Sequence, residues 1–301
     1  MALVLPHEAN ARVITVSGKR CRVDFVDGTR MEALIRGRLL DTDSAVAVGD
    51  FVVVEEQSDC WTVERILPRH NEFVRLGLRN ERQVLFANVD RALIFASISE
   101  PGTKTAAIDR FLAAAMVGGI EPWLVVTKTD LDLNGNREAA LREVYESFQL
   151  PMYPVCNKTG AGADELLADL GEGITGLVGN SGVGKSSLLN RLIPGLELKV
   201  QEVSTWSGKG KHTTTAALLV PLGENAAVID TAGMKSFVPY GITRDNLADL
   251  FPEIAEYSAD CRFRNCRHLS EPDCAVRAAA ERGDFSGFRL RSYYRLLEGV
   301  S

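Results

Sequence analysis

The sequence predicts a multidomain chain: a small N-terminal β-barrel of the OB-fold type over residues 1–75, a central α/β unit over 76–240 and a mainly helical module over 241–301. Three observations carry this division. Short alternating apolar and polar segments, separated by Gly and Asp turns, fill residues 10 to 68. From about residue 88 strand-like and helix-like stretches alternate, as in a largely parallel sheet covered on both faces. Beyond residue 240 no strand pattern is evident, and Cys261, Cys266 and Cys274 cluster there while Cys21, Cys60 and Cys156 are scattered.

The barrel is read from "ARVITVSG", "RCRVDFVDG", "RMEALIRG", "DFVVVEEQ" and "WTVERILPR". Asp27-Gly28 is a strong hairpin signal. Five short strands in so little chain fit a five-stranded barrel. Such a barrel either binds oligonucleotides on one face or merely packs against its neighbour. The first forty residues hold seven cations (Arg12, Lys19, Arg20, Arg22, Arg30, Arg36, Arg38) against four acids, within a chain of net charge -6. Nucleic-acid binding therefore depends on local patches rather than on overall charge.

In the central unit, "RALIFASIS" and "PWLVVTKTD" read as strands, with a helix at residues 106–119 between them ending at a Gly pair. An amphipathic helix follows at residues 136–149, then strands "MYPVCNKTG" and "GITGLVGNSG", a helix "KSSLLNRLI" and a strand "AAVIDTAG". Apolar content of 46% and charge of 25% suit a globular protein with a sizeable core. No apolar run reaches the ~18 residues of a membrane span. The start "MALVLPHEAN" lacks the features of a signal peptide. With its cysteine usage, the chain is expected in a reducing compartment, the cytoplasm, with one local metal site.

"GNSGVGKSS" matches G-x-x-x-x-G-K-[ST], with Gly179, Asn180, Ser181, Gly182, Val183, Gly184, Lys185, Ser186 and Ser187 following one apolar strand and opening a helix. Glycines let backbone N–H groups curl around a phosphate, and the helix presents its positive end to the same anion. Lys185 is expected to reach the β and γ phosphates, and the Ser186 hydroxyl to ligate Mg²⁺.

"VIDTAGM" places Asp230 at a strand end, suited to the water shell of Mg²⁺, and Gly233 where its N–H can meet a γ-phosphate. Between these motifs lies "STWSGKGKHTTT", from whose threonines Thr214 is favoured over Thr213 and Thr215 as a second Mg²⁺ hydroxyl. The residue after Gly233 is Met234, where Ras-type enzymes place the glutamine that orients the attacking water. His212, beside the threonines, is the candidate to take that role, set against the plainer reading of a solvent-exposed loop histidine.

"TKTD" (Thr127, Lys128, Thr129, Asp130) ends a strand about fifty residues before the phosphate loop. An Asp there accepts from N1–H and the N2 amine of guanine; adenine offers neither, and its N1 sets an acceptor against the carboxylate. The Lys128 stem is expected along the base. Position 127 is Thr where Asn is commoner, so one polar tie to the phosphate loop is expected to be weaker. "VCNKTGAG" follows, with the backbone near Cys156 and Asn157 able to meet the guanine oxygen. The order reader, turn, phosphate loop, switch, acidic strand contains the GTPase elements rotated in sequence.

"CRFRNCRHLSEPDC" supplies Cys261, Cys266, His268 and Cys274, a closed Cys₃His set for one structural Zn²⁺. Such a site replaces a core that about sixty residues hardly build alone. Arg262, Arg264 and Arg267 interleave with the ligands as a cationic surface.

Barrel, rotated motifs and Cys₃His cluster together resemble the bacterial ribosome small-subunit-dependent GTPase A family, on "TKTD", "GNSGVGKSS", "KHTTT", "DTAGM" and "CRFRNCRH…C". The resemblance runs from about residue 10 to 297. It implies a GTP hydrolase stimulated by the small (30S) ribosomal subunit in its late maturation, with the OB-fold and zinc module gripping 16S rRNA. It also implies a circularly permuted GTPase domain, and the apolar Met234 fits the family. Thr127 for Asn, and Cys156-Asn157 for the usual Ser-Ala, depart from it. The chain is further expected to act as a monomer away from membranes. Two other classes stay open: a signalling GTPase with a protein partner, and a passive RNA-binding assembly protein with a vestigial nucleotide site. The rotation also leads the switch through "KSFVPYGI" almost directly into the metal module. His212→Ala is expected to slow single-turnover GTP hydrolysis while nucleotide binding stays intact; an unchanged rate, with and without an activating partner, removes His212 from the chemistry.

Overall fold

The structure is a computed structural model and describes residues 5–40, 45–57, 60–77, 79–99, 102–193, 217–231, 234 and 237–299. The N-terminal strands are β1 (Ala11–Ser17), β2 (Arg20–Phe25), β3 (Arg30–Ile35), β4 (Phe51–Gln57) and β5 (Cys60–Ile66). They close in the order β1-β2-β3-β5-β4-β1, antiparallel except for β3 with β5. This is the five-stranded barrel expected. Its interior is small and β-branched, with Ala11, Val13, Val23, Val52, Val54 and Val63 buried.

An irregularity in β1 between Val13 and Thr15 separates two cores. Val13 faces the barrel interior, whereas Ile14 joins the core of the α/β unit. A bulge re-aims side chains in this way. Beyond it, Thr15 pairs with Leu218, so barrel and central sheet form one continuous eleven-stranded array. Arg12, also in β1, donates to the Asn88 carbonyl.

A hairpin unmarked by the sequence reading follows, β6 (Glu72–Leu76) and β7 (Arg82–Ala87). Phe73 and Phe86 stack with centroids 5.1 Å apart, and both belong to the α/β core. The central sheet then runs β10 (Met152–Val155), β9 (Glu121–Thr127), β8 (Arg91–Ser97), β11 (Gly173–Gly179), β13 (Ala226–Asp230) and β12 (Leu218–Pro221). All neighbours are parallel except β12 with β13. The apolar runs of β8 and β9 are buried almost throughout, as strands covered on both faces must be.

The helices are α1 (Thr105–Val117), α2 (Asn136–Tyr145), α3 (Ala163–Leu170) and α4 (Lys185–Leu192). α1 runs into the expected Gly pair, where Gly119 takes φ +73°. α2 stops four residues short of the expected end: Gln149 turns left-handed at φ +51°, and Pro151 biases the chain before it away from helix. α3 and the short β12 are additions to the sequence reading.

The C-terminal region is helical among the described residues, with α5 (Pro252–Ser258), α6 (Ala275–Arg282) and α7 (Gly287–Gly299). It is locked to the central unit by Arg289 of α7, which is 1% exposed and pairs with Asp109 of α1 and Glu253 of α5. Tyr145 of α2 donates to the same Asp109 at 2.9 Å. Burial works against the guanidinium's charge, yet the two carboxylates overcome it and raise its pKa. Phe237 anchors the connecting segment, stacking on Phe73 and Phe111.

Removing one partner from such a buried cluster leaves uncompensated charge, at a cost of about 3–5 kcal/mol. Arg289→Ala is therefore expected to lower unfolding stability by about that amount, read as a fall in the denaturant midpoint. A change under ~1 kcal/mol shows that the cluster does not hold the helical region in place.

Candidate functional site

β11 ends at Gly179 and the chain turns through residues 180–184 into α4. Gly184 takes φ +107°, and a Cβ there would lie 2.8 Å from Asn157 Nδ2. Gly179 takes φ +151°, with the Phe95 carbonyl 2.9 Å from its ideal Cβ. Both positions thus need glycine for conformation and for close approach. Lys185 begins the helix and folds back over the loop, its Nζ donating to the carbonyls of Gly179 (2.8 Å) and Asn180 (3.3 Å). Ser186 is half-buried and Ser187 exposed on the first turn.

Asp230 closes β13, which lies parallel beside β11, so that carboxylate and ammonium sit at the same edge of the sheet. Burial pushes Lys185 down to about 8, opposed by Asp230. Burial likewise pushes Asp230 up to about 6, opposed by Lys185. Near neutral pH both groups are ionised. Asp230 Oδ1 is buried without a hydrogen-bond partner among the described residues. A buried carboxylate oxygen left open beside a phosphate loop suits a hydrated divalent cation, so these residues fit Mg²⁺. Met234 is buried in the core, with its backbone N–H donating to Gly179 O at 3.3 Å. His212, Thr214 and Gly233 lie outside the described residues.

The fold brings the "TKTD" segment to this loop. Thr127, the last residue of β9, is fully buried, and its hydroxyl reaches Val183 O in the phosphate loop and Ala96 O at 3.2 Å. Position 127 thus keeps a direct tie to the phosphate loop, made by one hydroxyl. Lys128 is left-handed at φ +60°, and Thr129 and Asp130 lie in the 3₁₀ turn that follows. Asp130 accepts from Lys158 Nζ at 2.6 Å and faces Cys156 Sγ at 3.7 Å. The hydrogen bond from Lys158 holds its carboxyl below the ordinary range. Asn157, from the same turn, donates from Nδ2 to Gly184 O at 3.0 Å. Sequence reasoning missed the side-chain roles of Asn157 and Lys158; the signal was their place one turn beyond a strand parallel to β9.

A cavity of about 560 Å³ opens beside the loop, bounded by Asn180, Ser181, Lys104, Lys128, Arg110 and Arg295. Arg295 belongs to α7, so the metal-bearing module forms one wall next to the phosphate loop.

The second centre gathers Cys261, Cys266, His268 and Cys274, with ligand atoms all within 4.8 Å of one another. Cys261 and Cys274 sulfurs are 3.9 Å apart, and His268 Nδ1 lies 3.6 and 3.5 Å from them. A tetrahedron with Zn–S of ~2.3 Å and Zn–N of ~2.05 Å requires separations of ~3.8 and ~3.6 Å. The set therefore fits Zn²⁺. Ser258, unnoticed in the sequence, assigns the imidazole tautomer. Its hydroxyl donates to Ile254 O at 2.6 Å, so it accepts from His268 Nε2–H at 3.1 Å and leaves Nδ1 free to bind metal. Glu271 shapes the loop by accepting from the backbone N–H groups of Arg267, Leu269 and Ser270. Burial disfavours its charge, but these bonds outweigh that and hold its pKa low.

A family model described as RsgA GTPase matches residues 66–238. A Bacteroides thetaiotaomicron protein named small ribosomal subunit biogenesis GTPase RsgA 2 is 35% identical, with 95% of each chain covered. The Bacillus velezensis RsgA of the same description is 37% identical over 84% of each chain. Among solved structures, YjeQ from Thermotoga maritima superposes with a TM-score of 0.77 at 29% identity, over 97% of this chain and 98% of that one. YloQ, described as a circularly permuted GTPase, gives a TM-score of 0.68 at 28% identity, over 98% and 96%.

Cys266→Ser is expected to lose the metal, read as about one zinc per wild-type chain against near none in the variant by a chromophoric chelator after protease digestion. Equal zinc in both removes Cys266 from the ligand set.

Proposed function

The chain belongs to the RsgA GTPase family, and from that premise we propose that it hydrolyses GTP to GDP and phosphate in biogenesis of the small ribosomal subunit. The finer reading is that the 30S subunit stimulates turnover late in maturation, and that the barrel and zinc module contact 16S rRNA. A monomeric, cytoplasmic protein built as units 1–75, 76–240 and 241–301 is part of the same proposal.

One observation carries the reading: the end of β9 and the turn after β10 meet residues 183–184 in space although they precede them in the chain, with Thr127 bound to Val183 O and Asn157 to Gly184 O. A base reader and a phosphate cradle at this spacing define one nucleotide site. In it Asp130 takes the N1–H and N2 amine of guanine, displacing Lys158, whose charge stays beside it. The Lys128 stem covers the base. Backbone N–H groups of residues 180–185 hold the phosphates, and Lys185 swings from its two carbonyls to the β and γ oxygens. Ser186 and Asp230, with Thr214, would hold Mg²⁺, which would supply charge neutralisation at the phosphates when bound. Gly233 and His212 keep their sequence-based roles at the γ-phosphate and the attacking water.

The placement of α7 beside the phosphate loop supports communication between nucleotide state and the metal module. Lys185 and Asp230, buried and facing one another, speak against a vestigial site. GTP turnover is expected to rise at least ~10-fold when purified small subunits are added to the protein. Turnover indifferent to subunits favours a signalling switch, and no turnover in either condition favours the passive assembly protein.

A further inference from the structure

Granted that residues 127–130 and 179–187 form the nucleotide site, we infer that Asn157 is a positioning residue that holds the phosphate loop open for the nucleotide, sharing with Thr127 the work of a single asparagine at position 127. The Thr127 hydroxyl has one proton but two carbonyls within reach, Val183 O and Ala96 O. An asparagine amide at that position would bring two N–H donors. The missing donor comes from across the site, where Asn157 Nδ2 donates to Gly184 O at 3.0 Å.

Consecutive carbonyls of the phosphate loop are therefore each held by a side chain from outside it, one at the end of β9 and one in the turn after β10. In a trans peptide the C=O and N–H point in opposite directions. Holding the carbonyls of Val183 and Gly184 toward the base-reading segments turns the N–H groups of Gly184 and Lys185 the other way, into the phosphate cradle. Gly184 O also closes the first helical bond, from Leu188 N at 3.0 Å, so Asn157 fixes the peptide at which loop becomes helix. The contact depends on Gly184 itself, because any Cβ would collide with Nδ2. Asn157 is in turn held by its own turn, with Cys156 N bonded to Ala161 O at 2.9 Å and Gly160 N to Cys156 O at 2.7 Å. Departures at 127 and 157 are of opposite sense: an amide is lost from the first position and gained at the second.

The test measures affinity for a fluorescent GDP analogue, with ADP as competitor. Asn157→Ala leaves a loop carbonyl without its side-chain donor and is expected to weaken GDP binding ~10-fold while keeping the preference for GDP over ADP. Thr127→Asn added to Asn157→Ala returns the amide to the other side and is expected to restore affinity to within ~3-fold of wild type. The inference is overturned if Asn157→Ala binds GDP like wild type, or if the double variant binds no better than the single one. Should Asn157→Ala not fold, the double variant decides alone: near-wild-type affinity supports the relocated tie and its loss refutes it. Asp130→Ala, run in parallel, separates this inference from the site reading. An unchanged GDP over ADP preference there refutes the base-reader assignment, whatever Asn157 does.

Discussion

The nucleotide end of this molecule depends on one buried pair of opposite charges, Lys185 at the start of α4 and Asp230 at the end of β13. Burial disfavours both charges, and with the two groups offsetting each other the ammonium comes down to about 8 and the carboxylate up to about 6. Each offsets the other enough to keep both ionised near neutral pH. The arrangement presents a cation for phosphate and an open carboxylate oxygen for a hydrated metal within one small volume. It exists only where β11 and β13 lie side by side in parallel register, so the sheet is the precondition of the chemistry.

The same sheet explains why the order of motifs in the chain has little consequence for the site. A parallel sheet places its ligand-binding loops at the carboxyl ends of the strands, whatever order the chain visits them. β9, β10, β11 and β13 run parallel and end on the same side of the sheet, and the residues at or just after the ends of β9 and β10 touch the loop after β11. What the rotation changes is the periphery. The chain leaves the switch side through Phe237, which is pinned between Phe73 and Phe111, and passes into a helical module bolted back by Arg289. Past β13 the sheet continues laterally through β12 and β1 into the barrel. Both attached units thus make direct contacts with the nucleotide-binding sheet.

Much of this was legible in the sequence because its signals are local. The barrel strands, the strand–loop–helix around Lys185 and the ligand spacing of the metal cluster each need only neighbouring residues to be recognised. The β6–β7 hairpin was not legible, because its reason lies in Phe73 and Phe86 filling a core built from residues far along the chain. α2 was read four residues too long because amphipathic spacing persists as far as Gln149, where the backbone has already left the helix and turned left-handed. The partner of Thr127 was not legible, since it is a carbonyl 56 residues later.

By itself, the sequence determined most of the strands and helices, the phosphate-loop motif, the candidate base reader and the Cys₃His donor set, since each is a matter of residue type at short spacing. Only the tertiary structure decided which of these meet. It set Thr127 and Asn157 against successive phosphate-loop carbonyls, left Asp230 Oδ1 buried without a partner among the described residues and made Ser258 the group that assigns the His268 tautomer. Such hydrogen bonds are directional and effective over about 3 Å. They join residues that chain order separates, so they follow from sheet register and packing rather than from sequence spacing.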